Sequence, residues 1–316
     1  MLDRANYRLK FEELFYIESL IAIKKGKQKK KSGYSYKVDV PLVKEFLNTL
    51  SFTLTKSQLN ALHDIRLDLE SPTPMNRLLQ GDVGSGKTIV ALISLLIAVS
   101  NNKQAAFMAP TEILAIQHFN NLKKMISDFQ IKVELLLGGQ KAKEKKMTYQ
   151  NMEDGIPAIY VGTHALIEDR AKFSNLGLVI VDEQHRFGVA QRSRLITKSY
   201  APDVLVMTAT PIPRTLTMTM YGDLDVTIID EMPQNRIPIK TYLRSDSKLD
   251  NIYKFIIASV DKGLQAFIVY PLVKESEKLD LKAAEQYFKE LNNSVFSKYI
   301  IGLIHGKMKW DEKKEK

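Results

Sequence analysis

Gly81 to Thr88 read GDVGSGKT, eight positions that fit the pattern G-x-x-x-x-G-K-[ST]. No other stretch limits the fold so sharply. Such a loop is held in shape by a strand that delivers it and a helix that leaves it. The flanks comply: the short apolar run NRLLQ (76–80) precedes it, and TIVALISLLIAVS (88–100) comes after it. Gly81, Gly84 and Gly86 let the backbone curl, so that N–H groups along the loop, Asp82, Val83 and Ser85 included, point inward at phosphate oxygens. The helix after the loop adds the positive end of its dipole. In this pattern Lys87 reaches the β- and γ-phosphates of a nucleoside triphosphate, and the Thr88 hydroxyl ligates Mg²⁺.

A second run supplies the partner. LGLVIVDE (176–183) is an apolar strand ending in two carboxylates, Asp182 and Glu183. A carboxylate at the C-terminal end of a strand sits beside the phosphate site in open α/β sheets. Asp182 is expected to hold Mg²⁺, directly or through water, and Glu183 to orient and deprotonate an attacking water. An acid pair after an apolar run is a weak signal alone, because surface acids also end strands. A glycine loop upstream changes its meaning. VMTATPIPRT (206–215) is the third piece. Thr208, Ala209 and Thr210 follow another apolar strand, and the two hydroxyls are placed to bond the loop after Asp182 and sense loss of the γ-phosphate. Standing alone, the segment would read as a Thr/Pro-rich turn.

Around these motifs strand and helix patterns alternate. QAAFMAP (104–110), KVELLLGG (132–139), AIYVGT (158–163) and DVLVMTAT (203–210) are further strand candidates, and TEILAIQHFNNLKKMI (111–126) is a helix. Apolar runs separated by helices predict a parallel sheet covered on both faces. Ahead of it, YRLKFEELFYIESLIAIKK (7–25) has helical spacing, and PLVKEFLNTL (41–50) is a short helix with proline at its start. The lysine-dense stretch between them, Lys24 to Lys37, is a solvated linker or a phosphate-contacting arm. DEMPQNRIPIK (230–240) reads as a linker, after which the alternation restarts with strands expected in IKTYL (239–243), QAFIVYPL (265–272) and YIIGLIHG (299–306). The expected organisation is an N-terminal helical and basic segment at 1–50, a first lobe at 51–235 and a partial second lobe at 236–316. Three strands are few for a doubly wound sheet.

The chain of 316 residues has no cysteine, which excludes disulfides and thiolate metal sites. Its net charge of +10 suits a polyanion such as nucleic acid, but much of the excess is local, so charge alone decides little. The longest apolar run, Ile89 to Val99, is too short to span a bilayer, and no apolar signal core opens the chain. The expectation is a soluble cytoplasmic protein.

The segments GDVGSGKT, APTEILAIQH, VGTHALI, DEQHRFGVAQR and TATPIPRTL occur in the order and spacing of superfamily 2 DNA helicases. More narrowly the chain resembles the RecG-type branched-DNA helicases; the transcription-repair coupling translocases share HRFGV and TATPIPRTL. Gln184, the stretch YGDLDVTIIDEMP (221–233) and PLVKESEKLDLKAA (271–284) favour the RecG type. The resemblance implies a RecA-like P-loop NTPase fold, ATP with Mg²⁺ as ligands, forked or junction DNA as partner, and a role in DNA recombination and repair. It makes FTLTKSQ (52–58) an adenine-recognition segment in which Gln58 reads the base edge. It assigns Pro110, Thr111, Gly162, Thr163 and His164 to the backbone of one DNA strand. His185 matches the residue coupling hydrolysis to the Thr208–Thr210 segment, a role compatible with a buried histidine bonded to those threonines. Arg186 and Arg192 face DNA or a solvated helix surface.

The resemblance also implies absences. A wedge domain that grips the branch point would lie ahead of this region, and most of the second lobe, with the arginines completing the ATP site, would lie after it. The expectation is the ATP-binding and DNA-dependent ATP-hydrolysing core of such a helicase, a fragment or split-gene product that does not unwind alone; a second polypeptide carrying the missing half would restore activity in trans, and without one the chain is a remnant with nucleotide affinity at most. A binding module without turnover, or a duplex-DNA translocase of another superfamily 2 branch, is the alternative.

Overall fold

The computed structural model describes residues 2–29, 32–183, 198, 201–210, 224–231, 239–270, 277–305, 308 and 312. It contains two compact units, Met1–Arg236 and Ile237–Lys316. Gln184, His185, Arg186, Arg192 and positions 211–215 of the third motif lie outside the described residues.

The first unit is built on seven parallel strands: β1 (Asn76–Gly81), β2 (Gln104–Met108), β3 (Val133–Leu136), β4 (Ile159–Gly162), β5 (Leu176–Asp182), β6 (Asp203–Thr208) and β7 (Asp225–Ile229). Their order in the sheet is β3-β4-β2-β5-β6-β1-β7. Every strand candidate of this region is present. β7, inside the stretch read only as a family signature, is the strand the pattern did not isolate. Its Asp, Val and Thr residues put exposed positions between buried ones on a sheet edge, where the apolar run is short.

Alternate residues along each central strand enter two different cores. Leu79, Phe107, Leu178, Ile180, Leu205 and Met207 face one core. Leu78, Ala106, Met108, Val179, Val181, Val204 and Val206 face the other. With both faces buried, these strands read as continuous apolar runs rather than as an apolar–polar alternation. Helix α4 (Lys87–Ser100) fills the first core, and Ile89 through Ala98 are all buried. Helices α2 (Pro41–Thr49) and α3 (Lys56–Glu70) pack over it. Proline at the start of α2 and a capping box between Thr55 and Gln58 at the start of α3 begin these two helices. Helix α5 (Glu112–Met125) lies on the same face, started by the Thr111 hydroxyl accepting from Leu114 N–H at 3.3 Å. On the other face Met152 of α6 (Ala142–Glu153) and the short 3₁₀ turn His164–Ile167 close the second core.

The N-terminal helix α1 (Leu2–Lys29) continues into the lysine-dense stretch. Residues 34–40 then form a strap that is docked rather than solvated. Tyr36, Val38 and Val40 alternate into the core. Lys37 exchanges two backbone bonds with the Asn101 side chain, each 2.9 Å. Lys103 sits over the Tyr34 ring at 3.4 Å. The strap reaches the end of the sheet where strands begin: the Tyr36 hydroxyl stands where a Cβ on Gly177 would collide, so glycine is required there.

In the second unit helices α7 (Leu249–Val260) and α8 (Glu277–Asn293) form, and Tyr253, Leu291 and Phe296 make a small core. The strands expected at 239–243, 265–272 and 299–306 do not form among the described residues. A strand is stabilised by its ladder partner, and among the described residues the seven-stranded sheet takes no strand from this unit.

Candidate nucleotide and strand-binding site

Among the described residues, those expected to handle phosphate lie along one edge of the sheet, where the strands end. Register places Gln80 beside Thr208, Gly81 beside Ile229, and Asp182 beside Met207. β6 alone separates β1 from β5. Neighbouring strands lie about 4.8 Å apart, so the loop after β1 and the acids after β5 are roughly 10 Å apart along the sheet edge. The Lys87 ammonium interacts electrostatically with Asp182, Glu183 and Asp82, although burial, the larger effect, depresses its pKa.

The glycines of the loop have separate physical reasons. Gly84 and Gly86 hold φ of 81° and 89°, the left-handed region that side chains resist. At Gly81 a Cβ would stand 2.6 Å from Ser85 Oγ and 3.1 Å from the Ile229 carbonyl oxygen. The Lys87 ammonium donates to the carbonyls of Gly81, at 2.6 Å, and Asp82, at 3.0 Å, within its own loop. Ser85 Oγ is buried without a hydrogen-bond partner among the described residues, an orphaned donor inside the cradle. Thr88 is half-buried on the first turn of α4. Two of the expected donors are turned back into the loop: Val83 N–H donates to Asp82 Oδ1 at 2.7 Å and Ser85 N–H to the Asp82 carbonyl at 3.1 Å. A buried hydroxyl without a partner, a lysine that feels two carboxylates and a threonine hydroxyl still fit a triphosphate with Mg²⁺ once those loop bonds open.

Glu183 takes φ of 51°, which is uncommon for a side-chain-bearing residue and costs roughly 1–2 kcal/mol. The strain turns the chain sharply at the end of β5, directly after Asp182. Asp182 is nearly buried, and its Oδ2 lies 2.9 Å from His118 Nε2 on α5. His118 was not singled out in the sequence; its only signal is its place seven residues after Thr111 on a helix covering the sheet. Thr208 is buried, and its hydroxyl lies 2.8 Å from that of Thr210 and accepts from Thr210 N–H at 3.2 Å. Ala209, between them, is half-buried.

Gln58 is buried against the loop, and both halves of its amide are engaged. Its carbonyl accepts from Thr55 N–H at 2.9 Å and its amide donates to the Ser85 carbonyl at 2.8 Å. One residue earlier, Ser57 meets the end of β7: its N–H donates to Glu231 at 2.9 Å and its hydroxyl to Asp230.

The residues expected to meet a DNA backbone sit on the neighbouring ends of β2 and β4. Thr111 and His164 are exposed and Pro110 half-buried. Thr163 is buried, its hydroxyl unpartnered among the described residues. Gly162 is fixed by packing, since a Cβ there would collide with the Leu136 carbonyl. The structure adds Gly138 and Gly139, which come after β3 beside His164 and Glu112; Gly139 N–H donates to Glu112 at 3.1 Å. The glycine doublet after an apolar run was the available sign.

Known proteins share this geometry. The family described as DEAD/DEAH box helicase matches residues 55–219, just over half of the chain. The chain belongs to this helicase family. Its matched region spans α3, the glycine loop, the acids after β5 and the threonines after β6. Over 99% of its length the chain is 45% identical to the ATP-dependent DNA helicase RecG of Thermotoga maritima, covering 40% of that protein. It is 44% identical to RecG of Bacillus subtilis, covering 46% of it. The chain thus spans less than half the length of these relatives. A solved structure of RecG bound to a three-way DNA junction superposes with a TM-score of 0.82 at 41% identity, covering 99% of this chain and 41% of that one. The RNA-bound Mss116p structure, at 19% identity and a TM-score of 0.64, shares the fold. Among the described residues no helix is long and apolar enough to cross a membrane.

Proposed function

We propose that this chain is the ATP-binding and ATP-hydrolysing lobe of a RecG-like branched-DNA helicase working in DNA recombination and repair in the cytoplasm. The observation that carries the reading is the convergence of Lys87, Asp182 and Glu183 on one sheet edge, at the ends of β1 and β5. The loop amides and Lys87 bind the phosphates of ATP. Thr88 and Asp182 hold Mg²⁺, which supplies charge neutralisation on the phosphates. Glu183 orients a water and takes its proton. Phosphoryl transfer needs positioning more than covalent chemistry from the protein, which suits a site made of backbone amides, one lysine and two acids. Gln58 braces the loop from behind through its bond to the Ser85 carbonyl, and its second amide N–H and second carbonyl lone pair remain to read an adenine edge. Thr208 and Thr210, with Gln184 and His185, pass the state of the γ-phosphate onward.

Thr111, His164 and the amide of Gly138 take phosphates of one DNA strand, because an exposed hydroxyl, an imidazole and a backbone N–H at strand ends suit phosphate oxygens; the Gly139 amide is held by Glu112. Pro110, Gly162 and Thr163 shape that surface. Unwinding requires a second lobe closing over the nucleotide, supplied by the further length present in the relatives, on this polypeptide or on another. Lys87→Ala is expected to abolish binding of a fluorescent ATP analogue. Glu183→Gln is expected to keep that binding while slowing hydrolysis about 10²-fold or more. An unchanged hydrolysis rate in Glu183→Gln would reduce the lobe to a binding module. Equal stimulation of the ATPase by forked and linear DNA would remove the branched-DNA assignment.

A further inference from the structure

His118 reaches the site from a helix rather than from a strand end, and it touches one of the two acids. Its Nε2 lies 2.9 Å from Asp182 Oδ2, and the two side chains are only 13% and 12% exposed. A carboxylate only accepts hydrogen bonds, so Nε2 carries the proton. Nδ1 is buried without a partner among the described residues, so the imidazole spends its one directed bond on Asp182. The ring is seated against Phe107 of β2, with centroids 4.6 Å apart, and Phe107 is fully buried. The contact occupies one carboxylate oxygen and leaves Oδ1 for a metal ion or its water. Residues that fix a ligating carboxylate in this way change metal affinity about 10- to 100-fold when removed.

The helix that carries His118 also carries the proposed strand-binding groups. Thr111 caps its first turn and Glu112 accepts from Gly139 N–H. His118 comes seven residues after Thr111, about 10 Å along the axis and on nearly the same face. We propose that His118 is a positioning residue that aims the Asp182 carboxylate at Mg²⁺, and that α5 thereby ties strand binding at Thr111 to the metal affinity of the nucleotide site. This rests on the nucleotide reading above. A histidine that merely packs on Phe107 would leave metal affinity alone.

The test titrates Mg²⁺ against binding of a fluorescent, slowly hydrolysed ATP analogue to the full chain. His118→Phe keeps the ring on Phe107 and removes the donor. It is expected to raise the half-saturating Mg²⁺ concentration about tenfold with a melting temperature close to wild type. His118→Gln restores an N–H of similar reach and is expected to recover most of the loss. His118→Asn, too short to reach Asp182, is expected to behave like His118→Phe and carries the test if the phenylalanine variant does not fold. A deoxythymidine oligomer is expected to strengthen Mg²⁺ binding in wild type and not in His118→Phe. Wild-type Mg²⁺ dependence in folded His118→Phe, or no recovery in His118→Gln, overturns the positioning role. An equal response to the oligomer in both proteins, or none in wild type, overturns the link through α5. Wild-type chain that binds no nucleotide at any Mg²⁺ concentration overturns the underlying nucleotide reading instead.

Discussion

Two kinds of apolar run in this chain look alike in the sequence and end differently. LGLVIVD, in the first unit, is β5, and every residue of it is buried. QAFIVY, in the second, has no strand partner among the described residues, and Phe267 and Val269 are 87% and 83% exposed. Both have β-branched and aromatic or aliphatic residues suited to a pleated strand. The difference is the company each keeps. β5 lies between β2 and β6, and its side chains enter a core on either face. The backbone N–H groups of 265–270 have no acceptor among the described residues. Burial and laddering are properties of an assembled sheet, and the apolar run is only an applicant for them.

Hydrogen exchange would break or sharpen this contrast most strongly. Amides of β2, β5 and β6 are expected to be protected about 10⁴-fold or more, because they open only with the whole unit. Those of 265–270 are expected to exchange near their unprotected rate. Strong protection at 265–270 in the isolated chain would mean that the segment has found a ladder.

The next largest effect comes from trimming the same chemistry in both places. Ile180→Ala, in the middle of β5, is expected to cost about 2–5 kcal/mol by urea unfolding, through lost burial and the cavity left behind. Val269→Ala is expected to change stability by less than about 0.5 kcal/mol. Comparable losses at both positions would show that the second unit buries its apolar segment.

A smaller, pH-dependent difference comes from where carboxylates are buried. Among the described residues the buried carboxylates, Glu134, Asp182 and Asp203, all lie in the first unit. Asp203 starts β6, fully buried, with Oδ1 accepting from Met75 N–H at 2.6 Å. The Tyr36 hydroxyl lies close enough to favour the ionised carboxylate, although neither it nor Oδ2 meets the geometry of a full hydrogen bond. Burial pushes its pKa up to about 7, against about 3.9 in an unfolded chain. The native state therefore binds the proton more tightly. This group's contribution to stability falls as pH rises from about 4 to about 7 and is level above that, by at most about 4 kcal/mol. Asp203→Asn removes that slope, so its stability relative to wild type should rise across the same window in urea melts. A pH-independent difference would show that Asp203 is already ionised in the fold.

The motifs of the proposed nucleotide site were more legible than the surface around them. The glycine loop and the acid pair each carry local conformational demands, left-handed backbone at Gly84 and Gly86 and a strand end at Asp182, which leave a mark in short sequence. Six of the seven strands were readable for the same reason: apolar runs buried on both faces. His118 and the Gly138–Gly139 doublet were not singled out as parts of a site, nor the Tyr36 strap as part of the core. Each acts across a distance in sequence: 64 residues separate His118 from Asp182, and no periodicity encodes such a meeting. Gln58 was found by resemblance, yet its amide is committed to Thr55 and Ser85, which only three-dimensional packing reveals.

By itself the sequence determined a parallel α/β lobe, a glycine loop after one strand and an acid pair at the end of another, because these depend on residues next to one another along the chain. Tertiary structure decided which apolar runs became strands, which glycines are forced by neighbours, and which helix holds Asp182. Those outcomes depend on what stands across a core or a ladder, and that neighbour is chosen by the whole fold at once.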